Sequence, residues 1–576
     1  MPNPKKLSPA IAEYPPCLHC NLEMKMIIIN AGQSYKAPTL CFEASPMKKF
    51  FTYLLIAIAA VAVIVLPSCV QQQAAAPKRS ELTLSWSHDV GPLNPHMYDP
   101  NQMFAQDMIF EPLVNYSRGG KIQPGLAESW EVAPDGKSIA FQLRQGVNFS
   151  DGTPFNATAA KANFDQVLQN RQEHEWLGLI DALDRVEAQG NSVLKLYLKT
   201  PYYPALQELT LIRPVRFLSP AAFPDNGTTA KGIKAPIGTG PWTLANYQKD
   251  NQAVFKRNET YWGEKPAIEQ ITVKVIADGE TRRLAFEKGE LDFIYGNGEI
   301  SLDSFKQMRD SGQYRAEVSQ PLNTRAIAIN SARGATQDLK VRQAIQHSVN
   351  KDAIISAIFY GTEKKADTYF STEVPYANIG LQPYAHDVER AKALLDEAGW
   401  RQPTGQSIRQ KDGQPLTLDL SFNGKNNVDK AIGEAIQADL KAVGIELKLL
   451  GEEKQSWLGR QTTGEFNLIF NDTWGPPYEP QAIVSSMRKP SHADYEALSG
   501  LPMKAEIDQK IGKVLLSTDE TARQQLYRDI LTTVHEQAVY LPISYSTNIA
   551  VLHKNLSGFE FMPQANQVPL SKLSKS

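Results

Sequence analysis

Residues 466–495 bring together Trp474, Tyr478, Arg488 and His492: two large aromatic faces, a permanently charged donor and an imidazole. Such a set can wall an apolar ligand, hold a carboxylate and offer a neutral nitrogen to a transition metal. The stretch opens with the buried-strand pattern Phe466-Asn467-Leu468-Ile469-Phe470. Gly475-Pro476-Pro477 then permits neither helix nor sheet ladder, which predicts that these side chains ride on the loop after a strand. A surface loop with half-buried aromatics has the same composition, so the rest of the chain has to decide.

The chain has 576 residues and a mass of 64.0 kDa, more than one ordinary domain requires. A formal charge of −2 gives no bulk electrostatic reason to bind nucleic acid or an anionic membrane surface. All four cysteines, Cys17, Cys20, Cys41 and Cys69, precede residue 70. Everything after them therefore lacks a disulfide, a thiolate metal site and a cysteine nucleophile. Cys17-Leu18-His19-Cys20 has zinc-like spacing but no second pair to complete a site.

Residues 1–46 show no sustained periodicity or targeting pattern, whereas Met47-Lys48-Lys49 begins a basic segment followed by an apolar run from Phe50 to Leu66. This is the layout of a secretory signal, so residues 1–46 are expected to be a start-site artefact and 47–68 the signal peptide. Leu66-Pro67-Ser68-Cys69 resembles a bacterial lipobox, which makes Cys69 the expected lipidation site. Residues 69–80 are polar and small, as a flexible tether would be.

Alternation in Leu82-Thr83-Leu84-Ser85-Trp86, Ile271 to Val275 and Leu416 to Leu420 predicts strands. Amphipathic spacing from Ala391 to Glu397 and from Ala431 to Leu440 predicts helices between them, and Met103, Met108, Phe110 and Leu113 also fall at helical spacing. The mixture indicates an α/β architecture. Gly238-Thr239-Gly240-Pro241-Trp242 is read as a turn before a strand; no Lys-Ser or Lys-Thr follows the glycines, so it is not a phosphate loop.

Leu126-Ala127-Glu128-Ser129-Trp130, Phe149-Ser150-Asp151-Gly152, the Gly238 motif, Asn258-Glu259-Thr260-Tyr261-Trp262-Gly263, Val341-Arg342-Gln343-Ala344-Ile345 and Ala398-Gly399-Trp400 resemble, in that order, the solute-binding proteins of peptide/nickel ABC importers. The resemblance covers essentially everything from Glu81 onward. It implies a two-lobed periplasmic binding protein, a Venus flytrap with a discontinuous first lobe: residues 81–321 and 547–576 in lobe I and 322–546 in lobe II. Crossing strands would lie at 319–330 and 539–545. It also implies an extracytoplasmic, lipid-anchored monomer in the periplasm, working with permease subunits and a cytoplasmic ATPase, and closing on its ligand by a hinge.

Among members of that family, Asn101 to Gln106, Lys234 to Gly238, Tyr376-Ala377-Asn378, Ser485 to Arg488 and Ser491 to Asp494 most resemble nickel binders. Carried over by position, the resemblance implies a cleft lined by Tyr98, Met103, Trp176, Arg213, Trp474 and Tyr478, with His492 as the metal ligand. Glu173, Asp99, Leu458 and Asn566 depart from the nickel-binding pattern. Glu173 and Asn566 are accordingly expected at the site with altered chelate preference. His88, His96 and His174 are read as ordinary polar residues.

One histidine cannot hold nickel(II) tightly, and the chain after residue 69 has neither H-E-x-x-H nor histidines paired four apart. The ligand expected is therefore nickel(II) with a small organic chelator, Arg213 holding a carboxylate and the tryptophans covering the chelate; no resident cofactor is expected. The alternatives are an oligopeptide or dipeptide binder of the same fold and a binder of haem or another metallophore. Peptide-binding relatives commonly carry an aspartate after the strand, and Pro476 stands there. An enzyme is not expected: no G-x-S-x-G elbow is present, and the Ser, His and Asp positions match no triad.

Overall fold

The computed structural model describes residues 80–98 and 101–576, which lie in one compact unit. The expectations for residues 1–79, including the signal, the tether and Cys69, and for Asp99 lie outside the described residues.

Glu81–Trp86 alternates as its sequence predicts and pairs in parallel with Gln270–Val275. Gln252–Arg257 and Trp242–Gln248 extend this sheet antiparallel. A second four-stranded sheet, wholly antiparallel, runs Ala127–Val132, Ser138–Leu143, Val193–Leu198, Leu183–Gln189. Helix Ala157–Gln169, whose N-cap Asn156 accepts from Ala159 N, buries Ala160, Phe164 and Val167 against it.

A six-stranded mixed sheet forms the other half of the molecule: Lys364–Lys365, Tyr540–Ser546, Asn323–Ile329, Leu468–Phe470, Thr417–Asn423 and Glu446–Glu452, in that order. Its parallel part follows from the β-α-β unit in which helix Asn427–Ala442 joins Thr417–Asn423 to Glu446–Glu452. Leu420, Ile432, Ile436 and Leu447 close the core between helix and sheet. The predicted helices are the C-terminal parts of Val388–Glu397 and Asn427–Ala442. Each starts earlier than its apolar pattern because an Asp387 or Asn426 cap opens a polar first turn.

The two halves are joined at two neighbouring crossings. Arg315–Val318, in a three-stranded sheet with Ile549–Leu552, leads through residues 319–322 into Asn323–Ile329. Tyr540–Ser546 returns through residues 547–548 to Ile549–Leu552. The crossings are bonded to each other: Ser319 N donates to Asn548 O (2.9 Å), Asn548 N to Ser319 Oγ (2.9 Å), and Leu322 N to Ser546 O (2.8 Å).

Gly238 and Gly240 are required for space rather than for an unusual turn. A Cβ at either would overlap the Ile109 carbonyl, to which Gly240 N donates at 2.8 Å. This contact fixes helix Met103–Ile109, and hence Met103, against the start of strand Trp242–Gln248. The helix ends before Phe110, so Phe110 and Leu113 belong to the loop beyond it, buried among neighbouring core residues.

Candidate functional site

The site is a line of aromatic rings crossing from one half of the molecule to the other. Tyr98 sits at its start, on the segment moored by His96. That ring is fully buried, with Nδ1 2.9 Å from Thr229 Oγ1 and Nε2 3.0 Å from Asn163 Oδ1, and burial lowers its pKa to about 4. Tyr98 Oη accepts from Trp176 Nε1 (2.8 Å) and lies 2.7 Å from His174 Nδ1. Because an indole N–H only donates, the Tyr98 hydroxyl proton is free to donate to His174, which fits the neutral imidazole that burial enforces by lowering its pKa to about 4.

From Trp176 the line continues to Tyr478 (ring centroids 6.2 Å apart), Trp474 (6.0 Å from Tyr478, edge-on) and His492 (5.3 Å from Trp474, edge-on). Trp176 remains 42% exposed, an unusual state for an indole unless something else covers it. His492 is the N-cap residue of helix Ala493–Ser499 but makes no side-chain cap bond, and its ring has no hydrogen-bond partner among the described residues. Its nitrogens are thus available to a ligand. Burial pushes the Tyr478 phenol up to about 12, so it remains a neutral donor.

Arg213 links this line to a cavity of about 310 Å3. Its guanidinium lies 5.3 Å from the Tyr98 ring centre and donates through Nη1 to Tyr98 O (2.6 Å) and Asn101 O (3.1 Å). The same residue lines the cavity with Met103, Trp86, Asn323 of the first crossing, Asn548 of the second, and Asn566. The predicted Tyr98, Trp176, Tyr478, Trp474 and His492 are therefore joined by consecutive ring contacts, and Arg213 connects Tyr98 to the cavity that Met103 and Asn566 line.

Four residues fall differently. Arg488, read in the sequence as converging with the aromatics, is exposed and lies against Gly512 of helix Lys504–Leu516, because the short helix Gln481–Ser486 turns it away. Glu173 is exposed at the end of the line; its charge adds a minor part to the rise in the Tyr98 phenol, which burial dominates. Leu458 lies half-buried on helix Lys454–Thr463. His174, read as an ordinary polar residue, is instead buried beside Tyr98. Its spacing of two from Trp176 was the only signal, and it says nothing about burial. Among the described residues, the His88 ring bonds to the neighbouring Ser87 hydroxyl, at 2.8 Å.

Residues 121–495 match the model of bacterial extracellular solute-binding proteins, family 5. The chain belongs to that family. It is 50% identical over 501 residues to the nickel-binding periplasmic protein of Escherichia coli K12, covering 87% of this chain and 95% of that protein. The dipeptide-binding protein of the same organism is 28% identical over 496 residues, 82% of this chain and 90% of that one. The crystal structure of NikA from Brucella suis in complex with Fe(III)-EDTA superposes with a TM-score of 0.84 at 54% identity, covering 86% of this chain and 100% of that one. The fold is thus the periplasmic-binding-protein fold of family 5, whose members are typically two-lobed and bind solutes rather than transform them. Among the described residues, no three His, Cys, Asp or Glu side chains gather into a metal-holding group.

Proposed function

We infer that this protein captures nickel(II) as a small-molecule chelate between two lobes and delivers it to the permease of an ABC importer. The observation that carries this reading is a line of four aromatic rings that begins beside the Arg213 guanidinium and ends on a half-buried imidazole, His492, with no hydrogen-bond partner among the described residues. Such a site can supply one donor to the metal and cover the organic shell that supplies the others. The relatives agree in kind: one is named for nickel, and another was crystallised around an aminocarboxylate chelate. In this reading the lobes are residues 81–321 with 547–576, and 322–546, and the paired crossings at 319–322 and 547–548 are the hinge. Arg213 holds a chelate carboxylate.

The expected outcome is that calorimetry finds weak binding of nickel(II) alone and binding at least a hundredfold tighter with L-histidine present, and that His492→Ala reduces the latter by about tenfold, a coordination bond exchanged for water. Tight binding of bare nickel, unchanged in His492→Ala, would refute the reading. The peptide alternative is weakened at residue 476 by proline, and the nearby Glu479 carboxylate already accepts from Gly475 N (2.8 Å) inside its own loop.

The reading includes acylation of Cys69, which anchors the mature chain to a membrane facing the periplasm. Cell fractionation of Cys69→Ser checks it: release of the variant into the soluble fraction is expected, and identical processing and partition of both forms would count against the anchor.

A further inference from the structure

Beside the cavity of Met103, Arg213 and Asn566 lies a second one of about 240 Å3. Leu322 and Asn323 line both, so the first crossing strand is their common wall. Its lining also includes Pro375, Pro476 and the buried Glu479, whose carboxylate is taken up by Gly475 N, and two exposed charges, Arg118 and Glu373, reach it from opposite halves of the molecule. Arg118 comes from the turn between strands Val114–Ser117 and Lys121–Pro124, and Glu373 from the loop after Lys364–Lys365. Neither makes an ion pair, nor a side-chain hydrogen bond, among the described residues. A cation and an anion that share one cavity without pairing leave complementary places for a group carrying both charges.

We propose that this second cavity receives a zwitterionic arm of an extended chelator, its carboxylate on Arg118 and its ammonium on Glu373, while the metal-bearing end lies on the aromatic line against His492. The inference rests on the chelate reading above. It narrows the ligand class to chelates with an amino-acid-like tail. Pockets that enclose a whole small ligand run from about 300 to 1,000 Å3, so a 240 Å3 space suits a head group and not a complete chelate. Both charges are exposed at its rim, which limits each to about a fivefold effect.

The probes are nickel(II) with L-histidine, with L-histidyl-L-lysine and with L-histidyl-L-norleucine, titrated by calorimetry into the full chain. The two dipeptides chelate identically through the histidyl end, but only lysine presents both a carboxylate and an ammonium on its tail. About fivefold tighter binding of the lysine chelate than of the norleucine chelate is expected. Glu373→Ala removes that difference, Arg118→Ala weakens both dipeptide chelates by about fivefold, and neither variant changes the nickel–histidine affinity by more than about twofold. Equal affinity for the two dipeptide chelates, or a difference that survives Glu373→Ala, would overturn the proposal while leaving the chelate reading intact. If metal-free histidyl-lysine binds as tightly as its nickel complex, the chelate reading itself fails, and this inference with it.

Discussion

The two halves of the molecule meet by lending each other tyrosines, and the two loans are built differently. Tyr478, from the loop after Leu468–Phe470, packs on the core that contains Leu113, Phe141 and Phe217, while Tyr202 and Tyr203 pack on the opposite core around Tyr369, Tyr527 and Tyr540. At Tyr478 the ring is tilted at 42° to the exposed Trp176 on one side and stands edge-on to Trp474 on the other. At Tyr203 the ring stands edge-on to a stacked pair, Tyr376 and Tyr527 (centroids 4.8 Å apart), under the Arg523 guanidinium at 4.8 Å. The Tyr203 and Tyr527 hydroxyls are hydrogen-bonded, and Tyr203 N donates to Leu515 O at 3.3 Å. The first contact is soft and lies where the ligand is expected; the second is directional and lies away from it. One can yield to different chelates while the other holds the halves together.

The strongest way to break this contrast is Tyr203→Ala. Removing a half-buried ring with two aromatic neighbours and a hydroxyl bond costs about 2 kcal/mol of the closed form, which converts to about thirtyfold faster release of a nickel–histidine chelate in stopped flow. Tyr203→Phe keeps the packing and loses one hydrogen bond, so a change of about fivefold is expected. An unchanged release rate in Tyr203→Ala would show that the clasp does not restrain opening.

Neither tyrosine contact was legible in the sequence, for a reason of distance along the chain. Strands and helices declare themselves through spacing of two or three to four residues, which is why Glu81–Trp86 and Asn427–Ala442 were readable. Tyr203 and Tyr527 carry no local signal of each other, and a Pro-Tyr-Tyr-Pro loop reads only as a loop. Trp474, Tyr478 and His492 stood out by residue type within one loop, whereas Tyr98, Met103, Trp176 and Arg213 came through resemblance alone. Where resemblance met a changed residue, as at Glu173, it gave a position without an orientation, and in Arg488 the loop reading gave a composition without a direction.

Acid offers a finer cut, because the mooring of the aromatic line is titratable. His96, two residues before Tyr98, has a folded pKa lowered from its ordinary 6.5 to about 4 by burial. The unfolded chain therefore binds the proton first: the stability His96 confers is complete above pH 6.5 and is lost as pH falls toward 4. Between pH 6.5 and pH 5 the loss is about 2 kcal/mol. Buried carboxyls such as Glu208 and Glu479, raised to about 7, titrate with the opposite sign, so the decisive quantity is the difference between the wild type and His96→Gln. Thermal unfolding at pH 7 and pH 5 is expected to show a smaller acid penalty in the variant, with the remainder including His174, whose pKa is lowered in the same direction. Equal penalties would mean that His96 does not hold the Tyr98 side of the line.

The smallest effect is expected at Glu173, the exposed residue at the outer end of the line. The sequence suggests a large influence, since a carboxylate in the cleft would repel a chelate carboxylate and favour an amine. Among the described residues Glu173 makes no ion pair, and its field reaches the Tyr98 phenol only as a minor contribution. An exposed charge acting through water contributes up to about 1 kcal/mol. Glu173→Arg is therefore expected to shift the preference of the protein from nickel–histidine toward nickel–EDTA by no more than about fivefold, and the shift should shrink as salt is raised from 50 to 500 mM because the charge is screened. Competition titration at both salts measures it. A salt-independent shift of a hundredfold would place the Glu173 carboxylate in direct contact with the chelate, and the soft side of the comparison would then have a fixed electrostatic anchor like the clasp at Tyr203.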